Sequence, residues 1–122
     1  MKKTDVKTYR YKKNGKAYEV VLAKTKYVEN NALAIAMFTW NNKHKYFEFW
    51  DTITVNLSMN MVSENYAFIN TNDNGKEIID WLVDNKLGFP TYRECRSGYC
   101  SYPEFMFDVD VLKEMPSIEE FM

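Results

Sequence analysis

The sequence predicts an α+β fold: a mostly antiparallel sheet of five or six strands, one main helix at about residues 75–86, and a short C-terminal helix. Three observations predict it. Short runs of β-branched and aromatic residues with two-residue alternation fill the first half of the chain. The clearest helical stripe, Ile78, Ile79, Trp81, Leu82 and Val83, comes late. Asn- and Gly-rich punctuation separates the runs, and strands that precede the helix favour antiparallel pairing over alternating βαβ units.

Residues 8–12 alternate aromatic and basic side chains, and Asn14-Gly15 then offers the two positive-φ positions of a two-residue turn. A basic hairpin of residues 6–13 and 16–24 follows, with Tyr9 and Tyr11 on one face and Arg10 and Lys12 on the other. After Asn30-Asn31, residues 32–40 read as a strand: Leu33, Ile35 and Met37 share one face. Ala32, Ala34 and Ala36 share the other, small enough for a helix to approach closely. Residues 41–45 are a turn. Residues 46–50 and 52–57 both have strand composition, with Asp51 marking a bulge between them. Ile53, Val55 and Leu57 define the face expected to be buried, with Thr52, Thr54 and Asn56 opposite. Residues 58–65 are a loop or a short helical turn, and 66–70 a further strand.

Asn74 and Glu77 match the spacing of a capping box at the start of the main helix. Gly88 and Pro90 end it. Residues 91–98 read as a polar loop. Residues 99–102 and 105–107 read as a last strand interrupted at Pro103, which argues for an edge or a bulge. Residues 109–115 form the short C-terminal helix, started by Asp108, and 116–122 a tail or one more helical turn.

With 122 residues the chain suits a single domain, 1–122, that buries roughly two-thirds of its unfolded surface without a metal or disulfide staple. Sixteen Lys and Arg against 17 Asp and Glu give a net charge of −1. That balance hides an asymmetry. Residues 1–27 hold nine bases and two acids, and residues 72–122 eleven acids and five bases. No apolar run approaches the ~20 residues of a membrane span, and no apolar signal core follows Met1. A cytoplasmic protein is expected. Cys95 and Cys100 are then thiols, with a bridge between them open in an oxidising compartment.

Little in the sequence carries chemistry. His44 is the sole histidine and lies between two lysines. Cys95 and Cys100 lack the second pair of a zinc knuckle, so neither metal nor cofactor is expected. Arg93 and Arg96 flank Cys95, the basis of a weak enzymatic alternative, since nearby cations favour a reactive thiolate. A buried inert thiol is the plainer reading, above all for Cys100. Phosphate-loop and hydrolase-triad patterns are absent. Two surface features remain. Tyr9, Tyr11 and Tyr18 stand among Arg10, Lys12 and Lys13, an arrangement that stacks bases and holds phosphates in nucleic-acid binders and that packs across strands in ordinary hairpins. The segment with Tyr92, Arg93, Arg96, Ser97 and Tyr102 is a candidate interaction loop on a rigid frame.

At that segment a family likeness enters. Residues 53–57 (ITVNL), 67–72 (AFINTN) and 97–105 (SGYCSYPEF) resemble the family catalogued as domain of unknown function 4313, over about residues 32–107. The resemblance implies a small protein of Gram-positive bacteria and their mobile elements. It implies no reaction. The family resembled commonly has a glycine after the threonine that corresponds to Thr91, where Tyr92 stands here; if that glycine serves a positive-φ turn, the resemblance implies a differently bent loop in this chain.

Two functional expectations result. The first is a non-enzymatic accessory protein of a mobile element, acting on an unidentified protein partner, with self-association through the hairpin edge as a variant. Inhibition of a host defence nuclease by phosphate-like acids extends it, although a charge of −1 speaks against strong mimicry. The second is nucleic-acid binding through the N-terminal hairpin.

Overall fold

The computed structural model describes residues 6–57 and 63–121. It is α+β, with two antiparallel sheets of four strands each and three short helices. The first sheet is the meander β1 (Tyr9–Lys13), β2 (Lys16–Lys26), β3 (Leu33–Asn41) and β4 (Tyr46–Thr52), in that order. The second contains β5 (Thr54–Val55), β6 (Tyr66–Ile69), β7 (Gly88–Ser97) and β8 (Cys100–Phe107), in the order β5-β6-β8-β7. Helices α1 (Thr71–Asn74) and α2 (Glu77–Asp84) join β6 to β7. Helix α3 (Val109–Glu114) and a 3-10 turn (Ile118–Phe121) end the described chain.

The N-terminal hairpin forms as its turn residues dictate. Asn14 and Gly15 have φ of 52° and 79°, and Lys13 faces Lys16 across the turn. Two sheets replace the expected single one because the chain pivots at Ile53. Its N–H donates to Ile35 O on β3 at 2.8 Å, while its carbonyl accepts from Asn70 N–H, also at 2.8 Å. One residue thus belongs to both ladders. The predicted inner face of 52–57 is corrected accordingly. Thr54 is buried, while Val55 and Leu57 are only half-buried. The Thr54 hydroxyl accepts from Ile35 N–H at 3.1 Å and lies 3.0 Å from the Tyr27 hydroxyl, so it is a polar joint between sheets.

The bulge in β4 falls on Trp50, one residue before Asp51. Phe49 stands opposite Phe38, Asp51 stands opposite Met37, and Trp50 is the extra residue. The capping box is also corrected. The α1 cap is Asn70, whose side chain accepts from Asp73 N–H, and α2 begins at Lys76 without a side-chain cap. Asn74 instead donates to Asn70 O and Thr52 O. Helix α2 ends at Asp84, two residues before the expected end at about 86. Lys86 takes the left-handed position, and Leu87 N–H reaches back to Leu82 O at 3.0 Å.

The main core lies between the sheets. Val20, Leu22, Ile35 and Met37 from the first sheet meet Ile69, Phe105 and Phe107 from the second, with Ile78 and Leu82 of α2. The opposite face of the first sheet is covered too. Val21, Ala23, Ala36, Phe38 and Phe47 pack under Ile118 and Phe121. Ala23 and Ala36 are paired across β2 and β3, a shallow floor that admits the 3-10 turn. The residues read as a tail are therefore packed. Lys24 N–H donates to Pro116 O at 2.9 Å, and Phe121 stacks on Phe38 at 4.8 Å. No helix among the described residues is long and apolar enough to cross a membrane.

Candidate functional site

The tyrosines of the N-terminal hairpin face inward. Tyr11 is only 6% exposed, and its ring meets Trp50 and Trp81 edge-on, with centroids 5.9 and 5.0 Å away. Tyr9 is half-buried and packs against Trp81 at 6.1 Å, and Tyr18 against Trp50 at 4.5 Å. Burial, then the carboxylates of Asp51 and Glu77, hold the Tyr11 hydroxyl above its ordinary pKa. Tyr9 and Tyr11 are thus hairpin-to-core contacts, while Tyr18, lying on Trp50, is 38% exposed. Arg10 and Lys12 point the other way and are exposed. Lys13 is half-buried, with its ammonium over Trp50 at 6.0 Å.

Residues 91–98, expected to be a loop, are strand and turn. Strand β7 continues through Ser97, and Gly98-Tyr99 reverses the chain so that Ser97 faces Cys100, Arg96 faces Ser101 and Cys95 faces Tyr102. β6 pairs with β8 only at Glu104, Phe105 and Met106, so the hairpin from Glu94 to Pro103 projects past it as a two-stranded arm. Pro103 lies where β8 has run beyond β6, which is why its missing N–H is tolerated.

At the root of the arm, β7 bulges. Pro90 faces Phe105 and Glu94 faces Pro103, leaving Thr91, Tyr92 and Arg93 opposite Glu104 alone. Glu104 is fully buried. Its Oε1 accepts from the Thr91 hydroxyl at 2.8 Å and lies 3.5 Å from Arg93 Nε, while Oε2 has no partner. The Thr91 hydroxyl oxygen also accepts from Arg93 N–H at 3.3 Å. Tyr92, at the apex, has φ of 66° and is 90% exposed. The different bend expected from a tyrosine in place of the family's glycine is not seen: Tyr92 itself takes the positive φ.

β7–β8 pairing brings Arg96 and Ser97 onto the arm with Tyr102, and Tyr92 and Arg93 into the bulge at its root. Phe89, 63% exposed, precedes the bulge, and Tyr99 is fully exposed at the tip. Glu104 reads in the sequence as the polar member of an alternating strand, and nothing in residues 102–106 marks its side chain as buried. Burial, first, and then Cys100 raise the Tyr102 hydroxyl above its ordinary pKa. Neither cysteine is in a disulfide; both are half-exposed, and Arg93, expected beside Cys95, is turned to Glu104. His44 lies exposed in the β3–β4 turn, far in sequence and topology from the arm.

A two-sheet α+β domain with one projecting arm is the class that this geometry defines. The chain belongs to the family described as "Domain of unknown function (DUF4313)", whose model matches residues 21–121. The matched span starts within β2, so β1 precedes it. No curated protein and no solved structure matches the chain.

Proposed function

We propose that this protein is a non-enzymatic accessory factor that works by protein–protein contact through the β7–β8 arm, in the bacterial mobile-element setting that the family resemblance implies. One observation carries the reading: Tyr92 is held in a left-handed backbone conformation with its ring 90% in solvent. A bulky residue at positive φ costs roughly 1–2 kcal/mol, and burial of the ring does not offset it here. An exposed aromatic kept at such a position suits an anchor that becomes buried on a partner. Phe89 and Tyr99 extend the apolar contact, and Arg93 and Arg96 supply the polar rim that interfaces show.

The test is capture of partners from host lysate with and without nuclease, comparing the wild-type chain with Tyr92→Ala and Tyr99→Ala. A stoichiometric protein that survives nuclease, binds again when purified, and is lost with Tyr92→Ala is expected. Retention by both variants overturns the assignment to the arm.

Nucleic-acid binding is the second reading, favoured by the exposure of Arg10 and Lys12 on one face of β1. It requires binding that weakens steeply with salt and is lost when Arg10, Lys12 and Lys13 become Ala. With Tyr11 buried, such binding would be electrostatic.

A further inference from the structure

A groove of about 640 Å³ runs between β1 and the corner where α1 meets α2. This volume is within the ~300–1,000 Å³ of small-ligand sites. One side is the outer edge of β1, where Arg10, Lys12 and Lys13 bring cationic side chains from both faces of the strand. The other is acidic, with Asp73 and Glu77. The floor is Tyr11, Ile78 and Trp81. Unlike charges face each other across apolar ground.

Main-chain groups line it as well. β1 is the outer strand of its sheet. The Arg10 carbonyl turns away from β2 and accepts from Trp81 Nε1 at 2.7 Å. Antiparallel pairing alternates every residue, so Lys12, two positions on, also turns its N–H and C=O away from β2. Those groups match the acceptor and donor of one peptide unit. Trp81 closes the strand edge at Arg10 and so limits the ligand to a short chain.

The acidic wall holds an unmet acceptor. Asn74 spends its amide N–H groups on Asn70 O and Thr52 O, which leaves its Oδ1 buried without a donor. Gly75, at φ of 80°, leaves the space that the Glu77 carboxylate occupies; a side chain at 75 would collide with it.

We infer that this groove binds a zwitterionic peptidic ligand, a free amino acid or a short peptide with unblocked ends. Its ammonium meets Glu77 and Asp73, its carboxylate meets Arg10, Lys12 and Lys13, and an apolar side chain covers Trp81. The site is separate from the β7–β8 arm.

The full-length chain, labelled with nitrogen-15, gives a direct readout through the Trp81 indole N–H. The probes are Ala-Phe-Ala with free ends, the same tripeptide acetylated and amidated, and free phenylalanine. The free-ended tripeptide or phenylalanine is expected to shift the indole resonance saturably, and blocking both ends to weaken binding at least about tenfold. Whichever free-ended probe binds tighter assigns the ligand as peptide or amino acid. Glu77→Gln and, separately, Lys12→Ala should each weaken binding about tenfold with the rest of the spectrum unchanged, while Tyr92→Ala leaves it intact. Equal binding of the blocked tripeptide, or no saturable shift with any probe, overturns the inference.

Discussion

Thr91 donates its hydroxyl to the Glu104 carboxylate at 2.8 Å, the inner contact of a bulge in which three residues face one. Glu104 is fully buried and its second oxygen has no partner, so this bond is its principal neutral contact. Thr91→Val removes the donor and keeps the shape. Leaving a buried acceptor unmet costs about 1–3 kcal/mol, and urea unfolding should show a loss of that size. Glu104→Gln keeps an acceptor for Thr91 and removes the charge, so its loss should be smaller, with the two changes non-additive in a double-mutant cycle. A larger loss for Glu104→Gln would make Arg93 the main partner of the carboxylate.

Tyr92→Gly separates fold from function. Glycine relieves the left-handed penalty of roughly 1–2 kcal/mol, and costs roughly 0.5–1 kcal/mol through the freer unfolded chain. A net gain of about 0.5–1 kcal/mol in thermal or urea unfolding is expected, together with loss of partner capture. Lower stability in Tyr92→Gly would mean that the ring packs usefully where it is, against the anchor reading.

Some of this was legible in residues and some was not, for physical reasons. The Asn14-Gly15 turn and the Ile78–Leu82 stripe were read correctly because local chemistry fixes them. The second sheet was not legible, since it depends on Ile53 bonding two strands distant in sequence. The arm was read as a loop because both of its faces meet water over residues 93–97, which erases the apolar alternation that marks a strand. Tyr92, Arg93, Arg96 and Ser97 stay near one another because they are close in sequence, and strand pairing sets Tyr102 opposite Cys95. The hairpin tyrosines show the opposite failure. Alternation placed Tyr9 and Tyr11 on one face but did not say that Trp50 and Trp81 cover it.

The C-terminal turn offers a check on long-range packing. Phe121 stacks on Phe38 at 4.8 Å and meets Phe47 edge-on at 5.0 Å, over the Ala23–Ala36 floor. Full removal of a buried Phe costs about 3–5 kcal/mol; Phe121 is half-buried, so Phe121→Ala should cost about 2 kcal/mol. Differential scanning calorimetry measures it. An unchanged melting temperature would mean that these residues do not hold to the sheet.

Alkaline unfolding tests the inward placement of the hairpin tyrosines. Burial, and then Asp51 and Glu77, raise Tyr11 above its ordinary pKa; burial and then Glu114 raise Tyr9; burial raises Tyr27, against the lowering effect of its Thr54 bond. In the unfolded chain these phenols ionise near ~10. Between that value and the higher folded one, the unfolded state holds fewer protons, so stability falls as pH rises. Below the unfolded value both states are protonated and these groups contribute no slope. Stability measured by urea should therefore be level with respect to tyrosine up to about pH 9 and decline above about pH 10. Tyr11→Phe removes one ionisable group and should flatten the decline. An unchanged decline in Tyr11→Phe would place Tyr11 in solvent and overturn its packing against Trp50 and Trp81.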